Sequence, residues 1–219
     1  MKKVLSLLII LALIVVAWVF ASPYWAVYQL KKAYDAQQAD TISTAIEFTQ
    51  LQQSIKSQLT PVLIEKANHV AKSPILQMLN IELNSDDLVN KMVDQAVDNT
   101  VTPEGVQYAL TGQATSEPLK TNVKLLGGLV AVAMDKIDIK DLILARNSAE
   151  LNQKIKQQLQ SPNPNATTAT SQTQPTTHYC GFNCFEVTGQ LRGYPLTLRL
   201  QRQGLIHWKI VGVTLPLNA

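Results

Sequence analysis

The feature that most constrains this chain lies at its start: Lys2 and Lys3, then residues 4–21, eighteen residues interrupted by one polar side chain, Ser6. As a helix rising 1.5 Å per residue, this run is about 27 Å long, close to the roughly 30 Å of a bilayer's hydrocarbon core. Such a run is either a membrane anchor or a secretory signal, and Val19 and Ala21 supply small residues for cleavage before Ser22. Trp18, Phe20, Tyr24 and Trp25 cluster where the helix would leave the bilayer, as an interfacial aromatic belt does, and favour an uncleaved anchor. Two lysines ahead of the run, with no other charge before it, put the amino end in the cytoplasm and the remaining chain on the other side.

The formal charge of +3 owes two units to Lys2 and Lys3; without them 17 basic groups face 16 acidic ones. That balance provides no electrostatic footprint for nucleic acid. With 219 residues there is material for one good core. The expected organisation is an anchor or signal segment at 1–21 and a single α+β domain at 22–219. Within it, 22–160 is mainly helical, 161–177 is a flexible loop and 178–219 forms antiparallel strands.

Ser22 and Pro23 read as a helix start, since proline at the first helical position loses no needed donor. That helix is expected to reach Gln38, with Tyr24, Val27, Tyr28, Leu30 and Tyr34 along one side. Asp40 would cap a short helix holding Ile42, Ala45 and Ile46. Thr49 and Gln52 fit a capping box for a third helix carrying Leu51, Ile55 and Leu59, which Pro61 interrupts. Further helix starts fall at Ser73–Pro74, at Ser85 with Asp86 and Asp87, and at Thr102–Pro103, where Gly112 supplies a left-handed end. The helix at Ser85 presents Leu88, Val89, Met92, Val93, Ala96 and Val97. The apolar stretch within 117–136 is too short to span a bilayer and reads as a buried core helix. Residues 137–144 suit a short strand or connection, and Asn147 with Glu150 caps an amphipathic helix to Gln160.

Residues 161–177 carry no charge and no large apolar side chain, and read as an exposed flexible loop. Alternation then replaces helical spacing: Leu196, Leu198 and Leu200 point one way, Thr197, Arg199 and Gln201 the other. With 185–191 before it and a turn at Gln203–Gly204 after it, this makes three or more antiparallel strands for the helices to cover.

Cys180 and Cys184 fit a small disulfide loop eased by Gly181 and Asn183. A metal site completed by His178 lacks the fourth ligand a structural zinc needs, so no metal and no cofactor is expected. Glu65 and His69 are spaced as neighbours on a helix face, and His207 lies beside Trp208 on a strand. The chain contains no G-x-S-x-G, no H-E-x-x-H and no phosphate-binding glycine loop, so no catalytic residue is assigned. Tyr24, Trp25 and Tyr28 suit core packing beside a membrane better than a ligand groove.

Five stretches carry a family resemblance: S-P-Y-W at 22–25, A-x-x-A-D at 36–40, E-F-T-Q-L-Q-Q-S-I-K at 47–56, T-P-E-G at 102–105 and L-x-R-Q-G-L-x-x-W-K-I at 200–210. Through them the chain resembles DUF2939, a family of uncharacterised bacterial envelope proteins. Where that family has V-D-F-x-x-L-R-x-S-L-K, this chain has Glu47 for the aspartate and Gln52 for the arginine, which speaks against a catalytic acid–base pair there. The resemblance implies a bacterial origin and an N-terminal membrane segment, and no activity. The expected protein is anchored in the inner membrane with its domain in the periplasm, or released there after cleavage. It acts by binding, as an interaction or accessory factor for an envelope protein partner. The alternative is a binding module holding a lipid or small apolar ligand between helices and sheet; an envelope hydrolase has no motif behind it.

Overall fold

The computed structural model describes residues 2–71, 85–113, 116–136, 175–191 and 194–217. Among these, six helices precede four strands: α1 Lys2–Asp35, α2 Ala39–Thr44, α3 Phe48–Ala71, α4 Ser85–Thr100, α5 Pro103–Thr111, α6 Glu117–Ala133, β1 Thr176–Gly181, β2 Cys184–Leu191, β3 Tyr194–Gln203 and β4 His207–Thr214. The strands form one antiparallel sheet in chain order, so the protein is α+β with a helical half packed on a C-terminal sheet. The helix expected at Ser73–Pro74, the elements at 137–160 and most of the loop at 161–177 lie outside the described residues, and β1 takes Thr176 and Thr177 from the end of that loop.

The first correction concerns α1. The chain starts no new helix at Ser22–Pro23; one helix runs through them for 34 residues, about 51 Å. It ends three residues before Gln38, where Gln37 turns left-handed at φ 53°. Its packed face comprises Ser22, Pro23, Ala26, Val27, Leu30 and Ala33, whereas Tyr24, Tyr28 and Tyr34 stay exposed. Small side chains let the helix approach the sheet closely; the tyrosines project past that contact.

The second correction concerns the link from α2 to α3. Asp40 lies in the first turn of α2 rather than at its cap, and the helix stops before Ala45 and Ile46. Those two residues pair with the outer edge of β4: the Ile210 N–H donates to the Ala45 carbonyl and the Glu47 N–H to the Ile210 carbonyl, both at 2.8 Å. Further along, Val213 N–H donates to Ser54 Oγ, Gln58 Nε2 donates to the Val213 carbonyl at 2.6 Å, and Leu215 N–H donates to Gln58 Oε1. An edge strand with open backbone groups invites unwanted pairing, and here backbone and α3 side chains occupy it. Thr49 and Gln52 form no capping box, because α3 begins at Phe48 and Gln52 Nε2 donates instead to the Val101 carbonyl. The helix also continues past Pro61 without a break.

Two cores result. Leu59, Leu63, Val93, Val97, Val132 and their neighbours join α3, α4 and α6, which confirms 117–136 as a core helix. Leu88 leaves the expected face of α4 and is exposed. Lys56 adds contacts of 2.8 Å to Asp94 and Asp98 across α3 and α4. Desolvation opposes its charge, but the two carboxylates outweigh it and hold the lysine pKa above its ordinary value. The second core, Phe185, Leu200, Trp208 and Ile210, seals one face of the sheet against α1.

The T-P-E-G turn behaves as its residues predict. Thr102 caps α5 by accepting from the Gly105 N–H at 3.1 Å, and Gly112 ends the helix at φ 69°. A Cβ on Gly105 would stand 1.8 Å from the Thr100 carbonyl oxygen, whereas one on Gly189 would meet nothing within 4 Å. Gly105→Ala is therefore expected to destabilise the full chain in detergent by about 3 kcal/mol, and Gly189→Ala to change it by less than about 0.5. Thermal unfolding followed by circular dichroism measures both; matching midpoints would contradict the close approach at residue 105.

Candidate functional site

Pro23 has no N–H, so the Val19 carbonyl four residues back loses its helical donor. Ser22 replaces it: its hydroxyl donates to the Val19 carbonyl at 2.7 Å. The same oxygen accepts from Trp208 Nε1 on β4 at 2.8 Å, a buried bond between residues 186 apart in the chain. One residue on, the Tyr179 hydroxyl of β1 donates to the Phe20 carbonyl at 2.8 Å. Burial raises the Tyr179 pKa above its ordinary value, with Arg202 acting in the other direction, so the phenol remains a donor. Two side chains of the sheet thus bond the stem within one turn of the proline.

Rings complete the junction. Phe185, fully buried, stands edge-on to Tyr24 at 5.0 Å and to Tyr179 at 5.1 Å, with Trp208 at 6.1 Å. Trp18, Phe20, Tyr24 and Trp25, the expected interfacial residues, all lie largely exposed on α1. Trp25 and Tyr28 face each other at 5.5 Å outside the packed face, so the expectation that they pack in the core is not met. Among the described residues, α1 is the helix long and apolar enough to cross a membrane, a character shared by anchors and signal sequences.

The opposite face of the sheet is polar. His178, Glu186 and Arg199 form a ladder across β1, β2 and β3, with Glu186 at 3.3 Å from His178 and 3.0 Å from Arg199. Thr188 and Thr197 hydroxyls meet at 2.9 Å beside it. Between this face and α3 lies a cleft of about 1060 Å³, walled by Gln50, Gln53, Ser57 and Gln58 on one side and Arg199, Gln201 and Val211 on the other. Sequence reasoning missed this cleft; the glutamines of the 47–56 stretch were its one legible sign.

The histidines do not assemble a catalytic group. His178 and His207 sit on opposite edge strands, three strand spacings apart across the sheet, and His178 is level with Gly212, five residues along β4 from His207. His69 and Glu65 are both exposed on α3. Glu47 and Gln52 do not pair with each other: Glu47 holds Lys209 at 3.1 Å, joining two of the resemblance motifs structurally.

Cys180 and Cys184 form the expected disulfide, with Cα atoms 5.1 Å apart, across the two-residue turn Phe182–Asn183. Glu186 lies near enough to make a three-ligand cluster, but both sulfurs are committed to each other. Closing so short a loop stabilises by about 2 kcal/mol on chain-entropy grounds. Replacing both cysteines by serine should lower the unfolding free energy by about that amount, and a reductant should bring the native chain to the same midpoint while leaving the double variant unmoved. A native chain indifferent to reductant would contradict this.

The sequence model of the DUF2939 family, described as a protein of unknown function, matches residues 12–109. No curated protein and no solved structure matches the chain. The match takes in S-P-Y-W, A-x-x-A-D, the 47–56 stretch and T-P-E-G, and ends before the closing motif of β3 and β4. From within the apolar segment into α5, then, this chain is similar to the DUF2939 family.

Proposed function

We propose that this protein is a non-enzymatic interaction or accessory factor of the bacterial envelope, anchored in the inner membrane by α1 with its α+β domain in the periplasm. The observation that carries the reading is the clamp at Ser22. About 30 Å of α1 suffices to cross the hydrocarbon core, and the remaining 20 Å or so forms a stem to which the sheet is bonded directly. Such a stem holds the body at a set height and orientation over the bilayer.

The same contacts support retention of the anchor. Cleavage before Ser22 would remove Val19 and Phe20, whose carbonyls Ser22 and Tyr179 satisfy, and would place a new ammonium group at a buried position. The disulfide agrees with an oxidising compartment. For the binding surface, the polar cleft between α3 and the sheet fits an extended polar segment of a protein partner. The alternative of an apolar ligand between helices and sheet needs an oily cavity; the cleft sets glutamine, serine and arginine side chains beside Leu200, Val211 and Val213, which favours an occupant with polar groups of its own.

Photo-crosslinking side chains placed at Gln53 and Gln201 of the full chain in living cells test this. A discrete protein adduct at both, lost on alkaline extraction only together with the membrane fraction and absent from a probe at Lys91 on α4, is the expected result. Soluble full-length protein in the cytosol with free thiols, or the same adducts from all three positions, would contradict it.

A further inference from the structure

The strands run alternately toward and away from α1's membrane-length segment, so the β1–β2 and β3–β4 turns lie at the same end of the sheet. The stem fixes which end. Phe182, in the first turn, meets Phe20 of α1 at 6.3 Å, whereas Phe185, three residues further along β2, meets Tyr24, one helical turn further from the apolar run. Both turns therefore point back along α1, toward the segment of bilayer-spanning length. They end in oily side chains: Phe182 is 65 % exposed, Leu205 74 % and Ile206 43 %.

Arg202 ties the two turns into one unit. Its N–H donates to the Asn183 carbonyl at 3.0 Å and its Nη1 to the Leu205 carbonyl at 3.0 Å. Its guanidinium is packed over the Phe182 ring at 4.8 Å and the Trp208 ring at 4.6 Å. A buried cation against two aromatic faces is held by their negative quadrupoles. The exposed side chains are thus mounted on a braced platform, beside Phe20 and above the last turn of the apolar run.

We propose that Phe182, Leu205 and Ile206 form a second membrane contact, seated in the interfacial layer of the same bilayer leaflet through which α1 emerges. The occupant follows from continuity: Phe182 stands against Phe20, which on an anchored α1 lies at the hydrocarbon boundary, and Arg202 joins its turn to the one that carries Leu205 and Ile206. Apolar groups at that level bury roughly 5–10 Å into the headgroup and acyl boundary. The domain then sits flush on the membrane, with the polar cleft held to one side of the stem. This inference rests on the reading of α1 as an uncleaved anchor.

The test uses the full chain in phosphatidylcholine–phosphatidylglycerol vesicles. Because the described chain has no free cysteine, an introduced one is the single reactive thiol for a nitroxide. Labels at Leu205→Cys, at Val15→Cys within the apolar run and at Gln190→Cys at the far end of β2 are compared for collision with oxygen and with a water-soluble nickel complex. Oxygen dominating at 15 and 205 and nickel at 190 is expected, with 205 roughly 5–10 Å below the lipid phosphates. Nickel dominating at 205 while 15 remains in lipid overturns the second contact and leaves the anchor standing. Nickel dominating at all three positions overturns both.

Discussion

The structure depends on one hydroxyl. Pro23 leaves the Val19 carbonyl without its helical donor, Ser22 supplies one from its side chain, and Trp208 of the last strand donates to the same oxygen. A helix interior normally excludes proline at a cost of about 3 kcal/mol, and the loss is limited where another donor reaches the open carbonyl. Here the substitute donor is also the sheet's attachment point. The defect in the helix and the docking of the sheet are therefore the same feature, placed one residue past the apolar run.

From that point the remaining architecture follows. With Trp208 fixed on α1, Phe185, Leu200 and Ile210 seal the inner face of the sheet. β4 is left as an edge, and Ala45, Glu47, Ser54 and Gln58 occupy its open backbone groups. α3 is thereby shared, giving its glutamines and serines to the sheet and Leu59 and Leu63 to the bundle with α4 and α6. The outer face of the sheet stays polar, and its cleft with α3 is the surface through which we propose the protein binds.

The α+β class, the strand alternation from Leu196 to Gln201, the αL end at Gly112 and the disulfide were legible because each rests on chemistry within a few residues. What escaped were features settled by partners far away in the chain. Ser22 and Pro23 have the local signature of a helix start, yet they lie inside α1, where the Ser22 hydroxyl bonds the Val19 carbonyl and accepts from a tryptophan 186 residues on. Ala45 and Ile46 have helical spacing, but the unfilled edge at Ile210 draws them out of α2. Gln52 looked like a capping residue until the Val101 carbonyl claimed it. The aromatic cluster at 18–25 was visible as composition; that the sheet's turns meet it required the fold.

The most direct measurement of the central claim is a double-mutant cycle on Ser22 and Pro23, read as unfolding free energy of the full chain in detergent. Ser22→Ala alone should cost about 1–3 kcal/mol, since the Val19 carbonyl and the Trp208 N–H both lose their partner. In a Pro23→Ala background the backbone N–H returns to Val19, and the cost of losing the hydroxyl should fall by about 1 kcal/mol. An identical cost in both backgrounds would show that the serine is not standing in for the proline's missing donor.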